Sequence, residues 1–395
     1  MRVRRSVSCK LAVVLVAILG IAGCGAGSAL SNSSFASTTT NGESSTPPSS
    51  TPTPNPTPAP TPSLSYQSDL TATAAWLRST SVAGDGAILY GSSKINPYYS
   101  NLAAIGLTRD PSSYAIVQRW MQWYISHLNT SDVWSLGGTM YDYDYSNGAE
   151  TPRNTADSTD SYAATFLSLA LAFYQTGDAS AQNYVKSIAT ELDLIGGVLL
   201  KTQQADGLTW SKPDYQIKYL MDNCEAYRGL RDLAVVFQTA VGDPTKSTVY
   251  NAAADRMLQG INGMWMNGSW AVYKNSGGSL TAPIMTKWYA DATSQVFPVL
   301  EGVIAATDPR SVQVYANLNA AWPGWPSLSY NAQDSFPWIL VGDAAAMMGD
   351  TARVQTFVQS IEAKYVAKGF PWPMYSAEAG WLMRLNAYML GTRLL

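Results

Sequence analysis

The chain predicts an all-α fold of about twelve helices paired into six hairpins that close into a ring. Three observations carry this. Apolar residues recur at three- and four-residue spacing through most of the chain beyond residue 66. Strand-like alternation is confined to loop segments such as Tyr141–Tyr145 and Trp270–Tyr273. Connections between helices alternate short and long, which puts the short ones on one face of the assembly and the long ones on the other.

The N-terminus comes first. Arg2, Arg4, Arg5 and Lys10 precede an apolar run from Leu11 to Ala22 that ends in small residues, the n-region and h-region of an export signal. A bilayer-spanning helix needs about 20 apolar residues, so this run is too short for a permanent anchor. The signal, residues 1–23, ends in Ile21-Ala22-Gly23-Cys24. That ending resembles the bacterial lipobox, and the resemblance implies lipidation of Cys24 and an exported protein anchored on the outer side of the membrane. Residues 24–65 are rich in Ser, Thr and Pro and hold almost nothing that fills a core, so they read as an extended, disordered spacer. Such a spacer reaches up to about 100 Å at about 3.1 Å per residue.

Residues 66–395 form the folded domain. Helices are predicted near 67–80, 96–106, 111–128, 158–177, 179–197, 215–241, 244–265, 286–306, 309–320, 328–349, 351–367 and 376–392. Five tight turns punctuate them: Asp110-Pro111, Gly177-Asp178, Gly242-Asp243-Pro244, Asp308-Pro309 and Gly349-Asp350. In each, Asp caps the next helix; Pro is tolerated at its first position, and in three Gly closes the helix before. The helices that run into these turns are the more apolar set and form the inner ring. Their N-termini open onto the long-loop face.

Composition narrows the function. Charged residues make up 13% of the chain and the net charge is −3. Nucleic-acid binding lacks its main driving force on such a surface. Cys224 is the lone domain cysteine, so no internal disulfide forms there, and His127 is the single histidine, which argues against a Ser-His-Asp triad or a histidine zinc site. Asp142, Asp144 and Ser146 follow calcium-loop spacing, but the required Gly is displaced to 148 and Arg153 replaces the closing Glu. No metal or cofactor is called for, and a monomer is expected.

Asp157, Asp160, Asp222, Glu225 and Asp291 fall near the starts of inner helices at similar distances from their tight turns, so the ring gathers them at one mouth. Asp157/Asp160 and Asp222/Glu225 are each three residues apart. Asp334 and Glu378 share the offset and read as helix caps. Crowded carboxylates split into one protonated acid and one ionised partner, the division that glycoside hydrolysis needs. Aromatic and polar groups on the same face, Tyr98, Trp134, Tyr141, Asp142, Trp288, Tyr289, Trp372 and Tyr375, are expected to bind sugar, because aromatic rings cover the apolar faces of pyranoses. Trp325 is a further platform candidate, whereas Trp76, Trp120, Trp123, Trp338 and Trp381 are assigned to the core.

This (α/α)6 toroid resembles the six-hairpin glycosidases from residue 66 onward. Three local phrases look similar too: Ile95-Asn96-Pro97-Tyr98, Asp157-Ser158-Thr159-Asp160-Ser161-Tyr162-Ala163-Ala164 and Asp222-Asn223-Cys224-Glu225-Ala226-Tyr227. The resemblance implies a surface-anchored glycoside hydrolase that uses a carboxylate acid and base on an oligo- or polysaccharide. Toroids of this kind also serve as polysaccharide lyases, with a Tyr base and Arg, Lys218 or Lys287 as partners, and as non-catalytic carbohydrate-binding or cell-envelope proteins.

Overall fold

The computed structural model describes residues 65–392. The signal segment, Cys24 and the Pro-rich spacer lie outside the described residues. The described residues form one compact unit.

Each of the six hairpins pairs an outer helix with an inner one. The first is α1 (Tyr66–Thr80) with α2 (Pro97–Leu107), and the second is α3 (Tyr114–Ser126) with α4 (Thr159–Tyr174). In the third, the outer arm is split into α5 (Ala179–Ser187) and α6 (Ala189–Thr202), and the inner arm is α7 (Leu220–Val236). The fourth pairs α8 (Pro244–Asn262) with a broken inner arm, a wide turn at Trp288–Ala292 followed by α9 (Phe297–Leu300). The last two are α10 (Pro309–Ala321) with α11 (Ile339–Met347), and α12 (Thr351–Lys364) with α13 (Ser376–Met389).

The inner arms close on themselves. Helix α2 packs on α4, α4 on α7, α7 on α9, α9 on α11, α11 on α13, and α13 returns to α2. This is the predicted (α/α)6 toroid. The two layers differ in burial as their positions require. Helix α4 buries nearly every residue from Thr159 to Phe173, whereas α1 buries only the stripe Asp69, Leu70, Thr73, Ala74 and Leu77.

All five Asp turns cap as their chemistry dictates. Asp110, Asp178, Asp243, Asp308 and Asp350 accept hydrogen bonds from the amides of Ser112, Ala181, Lys246, Arg310 and Arg353. Each cap of this kind contributes about 1 kcal/mol. Gly177, Gly242 and Gly349 take the left-handed conformation that closes the helix before.

Small residues set the spacing of the ring. A methyl group at Gly380 of α13 would lie 2.2 Å from the Leu102 carbonyl oxygen of α2, and one at Gly106 would lie 2.5 Å from the Gly380 Cα. At the α4–α7 contact, a methyl on Gly229 would meet the Ala164 Cα at 2.7 Å.

Four predicted helices differ from the observed ones. The third outer helix breaks at Ile188. The segment before α7 is not helical: Lys218–Tyr219 form a short strand paired with Tyr273–Lys274. The fourth inner arm is interrupted, and Pro298, which has no amide hydrogen, starts a short separate helix. Residues 333–338 are not helical, because Pro337 and the left-handed Trp338 delay the start of α11 to Ile339. The Asp142–Arg153 stretch is a β-hairpin, Tyr143–Ser146 with Ala149–Pro152, turned by Asn147-Gly148 with positive φ at both positions.

Below the mouth, the inner arms bury a set of opposed charges. Asp343 of α11, Arg384 of α13, Glu301 just after α9 and Asp232 of α7 are buried. Arg228 donates to Asp232 at 2.9 Å, and Arg109, after α2, interacts with Asp343. Three guanidinium groups therefore face three carboxyl groups across the interior. Burial drives the Asp343 carboxyl well above the usual range, and Arg384 opposes that shift.

Candidate functional site

Helices α4 and α7 place the acidic residues. Ser158 caps α4 by accepting from the Ser161 amide. Asp160, in the first turn, is fully buried and accepts three hydrogen bonds. Its Oδ1 accepts from Ser158 Oγ at 2.6 Å and the Ser161 amide at 2.9 Å, and its Oδ2 accepts from Thr209 Oγ1 at 2.7 Å. The Thr209 amide donates to Asn223 Oδ1 at 2.8 Å. This relay ties the start of α4 to the start of α7. Asp160 was expected among the catalytic acids; the structure makes it a buried brace.

Asp222 and Glu225 lie on one face of α7. Glu225 is 4% exposed, and its Oε1 accepts from Tyr98 Oη at 2.6 Å. Burial pushes its carboxyl up to about 8, with Glu301 adding to the shift and hydrogen bonds from Tyr98 and Ser161 opposing it. Asp222 is only half-buried and faces the cleft. Desolvation raises its carboxyl well above the usual carboxylate range, then Asp160, Glu225 and Asp157 add to the shift, while a hydrogen bond from Ser211 opposes it. Asp157 stands in the loop before α4, exposed to solvent, and shares the cleft with Asp222. It is therefore outside the helix that carries Asp160.

Glu378, in the first turn of α13, caps a different helix. Its two oxygens accept from the Trp338 and Ile339 amides, at 3.1 and 2.9 Å, at the start of α11. Burial raises its carboxyl to about 7 against those two hydrogen bonds. Asp334 accepts from the Phe336 amide, which fixes the loop ahead of α11.

The remaining expected residues divide between cleft and core. Tyr98 is in the cleft on Glu225. Tyr289 is 57% exposed, sits 4.9 Å from the Trp338 ring, and interacts with Asp222, Asp157 and Glu225. Tyr375 lies against Tyr99 at 5.0 Å, and Trp372 is 62% exposed. Asp142 accepts from Tyr162 Oη at 2.7 Å and Asn96 Nδ2 at 3.2 Å, so it orients those groups at the rim.

Five expectations are corrected. Trp288 is buried and stacks on Tyr330 at 4.1 Å, so it is core. Trp325, also buried, packs on Phe357. Tyr141 is buried and its hydroxyl accepts from the Val133 amide. Trp134 sits in a turn organised by Asp132, which accepts from its amide, and no contact among the described residues joins it to the acids. Asp291 accepts from the Ile284 amide and braces that loop. Loop position alone does not separate rings that face solvent from rings that fold back inward. Sequence reasoning missed Tyr90, Tyr99 and Phe336, which pack around Trp372 and Tyr375; Trp338, expected in the core, packs against it and also meets Tyr289. For Tyr99 the available signal was its place beside Tyr98 in the sequence; Tyr90 and Phe336 come from separate loops and had none.

Because Glu225 binds its proton more tightly in the folded protein than in the unfolded chain, the folded state holds extra protons between its ordinary value of 4.5 and about 8. Stability contributed by this group is complete at acidic pH and is lost as pH rises through that window. The thermal midpoint is expected to fall from about pH 5 to about pH 8, and Glu225→Gln to flatten the decline, as scanning calorimetry across pH would measure.

No family model matches the sequence, and no curated protein does. Solved structures do. A GH63 mannosylglycerate hydrolase from Thermus thermophilus, solved with glucose, aligns with a TM-score of 0.58 at 12% identity, over 80% of this chain and 99% of its own. A GH78 rhamnosidase from a Bacillus species aligns at 0.54 and 14% identity, over 83% of this chain and 35% of its own. A Klebsiella oxytoca rhamnosidase with rhamnose bound aligns at 0.53 and 11% identity, over 82% of this chain and 64% of its own. These likenesses establish the fold.

Proposed function

We propose that this chain, which shares the six-hairpin toroid with those glycosidases, is a glycoside hydrolase acting on a neutral oligo- or polysaccharide. Asp222 is the proton donor to the leaving oxygen, and Asp157 is the partner that activates water or attacks carbon. One observation carries the reading: the half-buried Asp222, whose carboxyl is raised by burial and by its acidic neighbours, shares the opening with the exposed Asp157 in the loop before the neighbouring inner helix. That is the acid and base division glycosidases require. Glu225 and Asp160 act from beneath, holding the proton on Asp222 through their charge and closeness. The sugar-bound state of the hydrolases with this fold supports a carbohydrate ligand here.

A lyase reading fares worse. Its base would be a tyrosine, yet burial pushes Tyr98 and Tyr375 well up, and Tyr289 up to about 12. Lys218 is engaged with Asp206 at 2.7 Å and is not available to a substrate carboxylate. Incubation with a panel of neutral glycans is expected to release reducing sugar with no unsaturated product. An ultraviolet-absorbing product, or none from any glycan, would overturn the assignment.

The protein works at the outer face of a membrane, held by lipid on Cys24. The Ile21-Ala22-Gly23-Cys24 ending supports this. Cys24→Ser is expected to move the protein from the membrane to the soluble fraction, as fractionation and immunoblotting would check; continued membrane association would count against the anchor.

A further inference from the structure

Beside the acid cleft, between the first and last hairpins, lies a cavity of about 250 Å³. Its walls are aromatic and hydroxyl-bearing: Trp76, Phe370, Trp372 and Tyr375 with Ser81 and Ser376 among them, and among the described residues no charged side chain lines it. Trp76 and Phe370 stack at 5.1 Å. Trp372 offers an unusually open ring, 62% exposed, and packs edge-on against Tyr90 at 6.0 Å and Phe336 at 5.8 Å. Exposing so large a ring costs hydration free energy unless something covers it. Ser376, 1% exposed, has an Oγ with no hydrogen-bond partner among the described residues. A buried hydroxyl without a partner is a group waiting for one.

A row of packed rings links the cavity wall to the cleft wall. Tyr375 lines the cavity and also contacts Tyr99, which neighbours Tyr98 on the Glu225 side. We infer that this cavity is a second sugar subsite, in which an uncharged pyranose unit lies against Trp372 and bonds to Ser376, while the next unit of the same chain reaches the acids. The inference rests on the hydrolase reading for the chain's fate, but not for its binding. The absence of lining charge selects a neutral sugar over a uronate or sulfated one, whose desolvated charge would find no partner there. Aromatic faces and hydroxyls together are the chemistry that recognises pyranose rings.

The test measures hydrolysis and binding against chain length. Gluco-, manno- and cello-oligosaccharides of two to six units are assayed with the full chain, Trp372→Ala and Ser376→Ala. Binding to Asp222→Asn protein, alone and combined with Trp372→Ala, is followed by tryptophan fluorescence. Trp372→Ala is expected to raise KM by about tenfold for the longer sugars, with a penalty that grows with length. Ser376→Ala is expected to raise it by about fivefold. A penalty independent of length, no penalty, or equal binding of oligogalacturonate would overturn the subsite. Length-dependent binding that needs Trp372, in a protein that hydrolyses none of these sugars, would uphold the subsite and sink the hydrolase reading instead. Circular dichroism of each variant separates loss of fold from loss of binding.

Discussion

Asp222→Asn is expected to lower kcat for glycan hydrolysis by about 10²–10⁴-fold, with little change in KM. The amide keeps the shape of the side chain but has no proton to give, so the leaving oxygen departs as a high-energy anion. Because burial and neighbouring carboxylates hold the Asp222 proton above the usual carboxylate range, wild-type activity should persist above the pH at which an ordinary aspartate ionises and fall as pH rises through that raised value. The variant should lose this alkaline limb altogether. Asp157→Asn should also impair turnover, through the partner's role rather than the donor's. An activated substrate with a good leaving group separates the two: it needs no protonation, so it should restore rate to Asp222→Asn and not to Asp157→Asn. Full activity in Asp222→Asn on every substrate would remove the proposed donor.

Gly380→Ala is expected to be strongly destabilising. The added carbon would stand 2.2 Å from the Leu102 carbonyl oxygen, a backbone atom that cannot rotate away. Helices α2 and α13 must part, and they are the contact at which the ring closes. Overpacking of this kind costs about 1–3 kcal/mol and more where backbone is involved. A fall in thermal midpoint of about 2–5 °C follows for a domain of this size. Gly197→Ala, on an open part of α6 with nothing within 4 Å of the added carbon, is the control and should be neutral or slightly stabilising. Equal midpoints for the two variants would contradict the close approach.

The turn residues carried most of the fold in the linear sequence. Asp before Pro, and Gly before Asp, encode local conformations whose physics needs no tertiary partner, and all five stand where they were expected. What escaped was set at a distance. The start of α11 is capped by Glu378 from another helix, and no residue near 338 announces it. The site was half legible for a similar reason. Spacing on α7 put Asp222 and Glu225 side by side, since that depends on helix geometry alone. Which acid meets solvent depends on what packs over it, and so the buried Asp160 and the exposed Asp157 looked alike in sequence. The same holds for the rings: Trp288 and Trp372 share a loop-rich context, yet one stacks on Tyr330 and the other faces water.

The opposed charges sealed beneath the mouth have a consequence for traffic. With Arg109, Arg228 and Arg384 set against Asp232, Glu301 and Asp343, opposed charges rather than apolar side chains occupy this part of the ring. On the proposed hydrolase reading, a sugar that enters the mouth meets a charged floor.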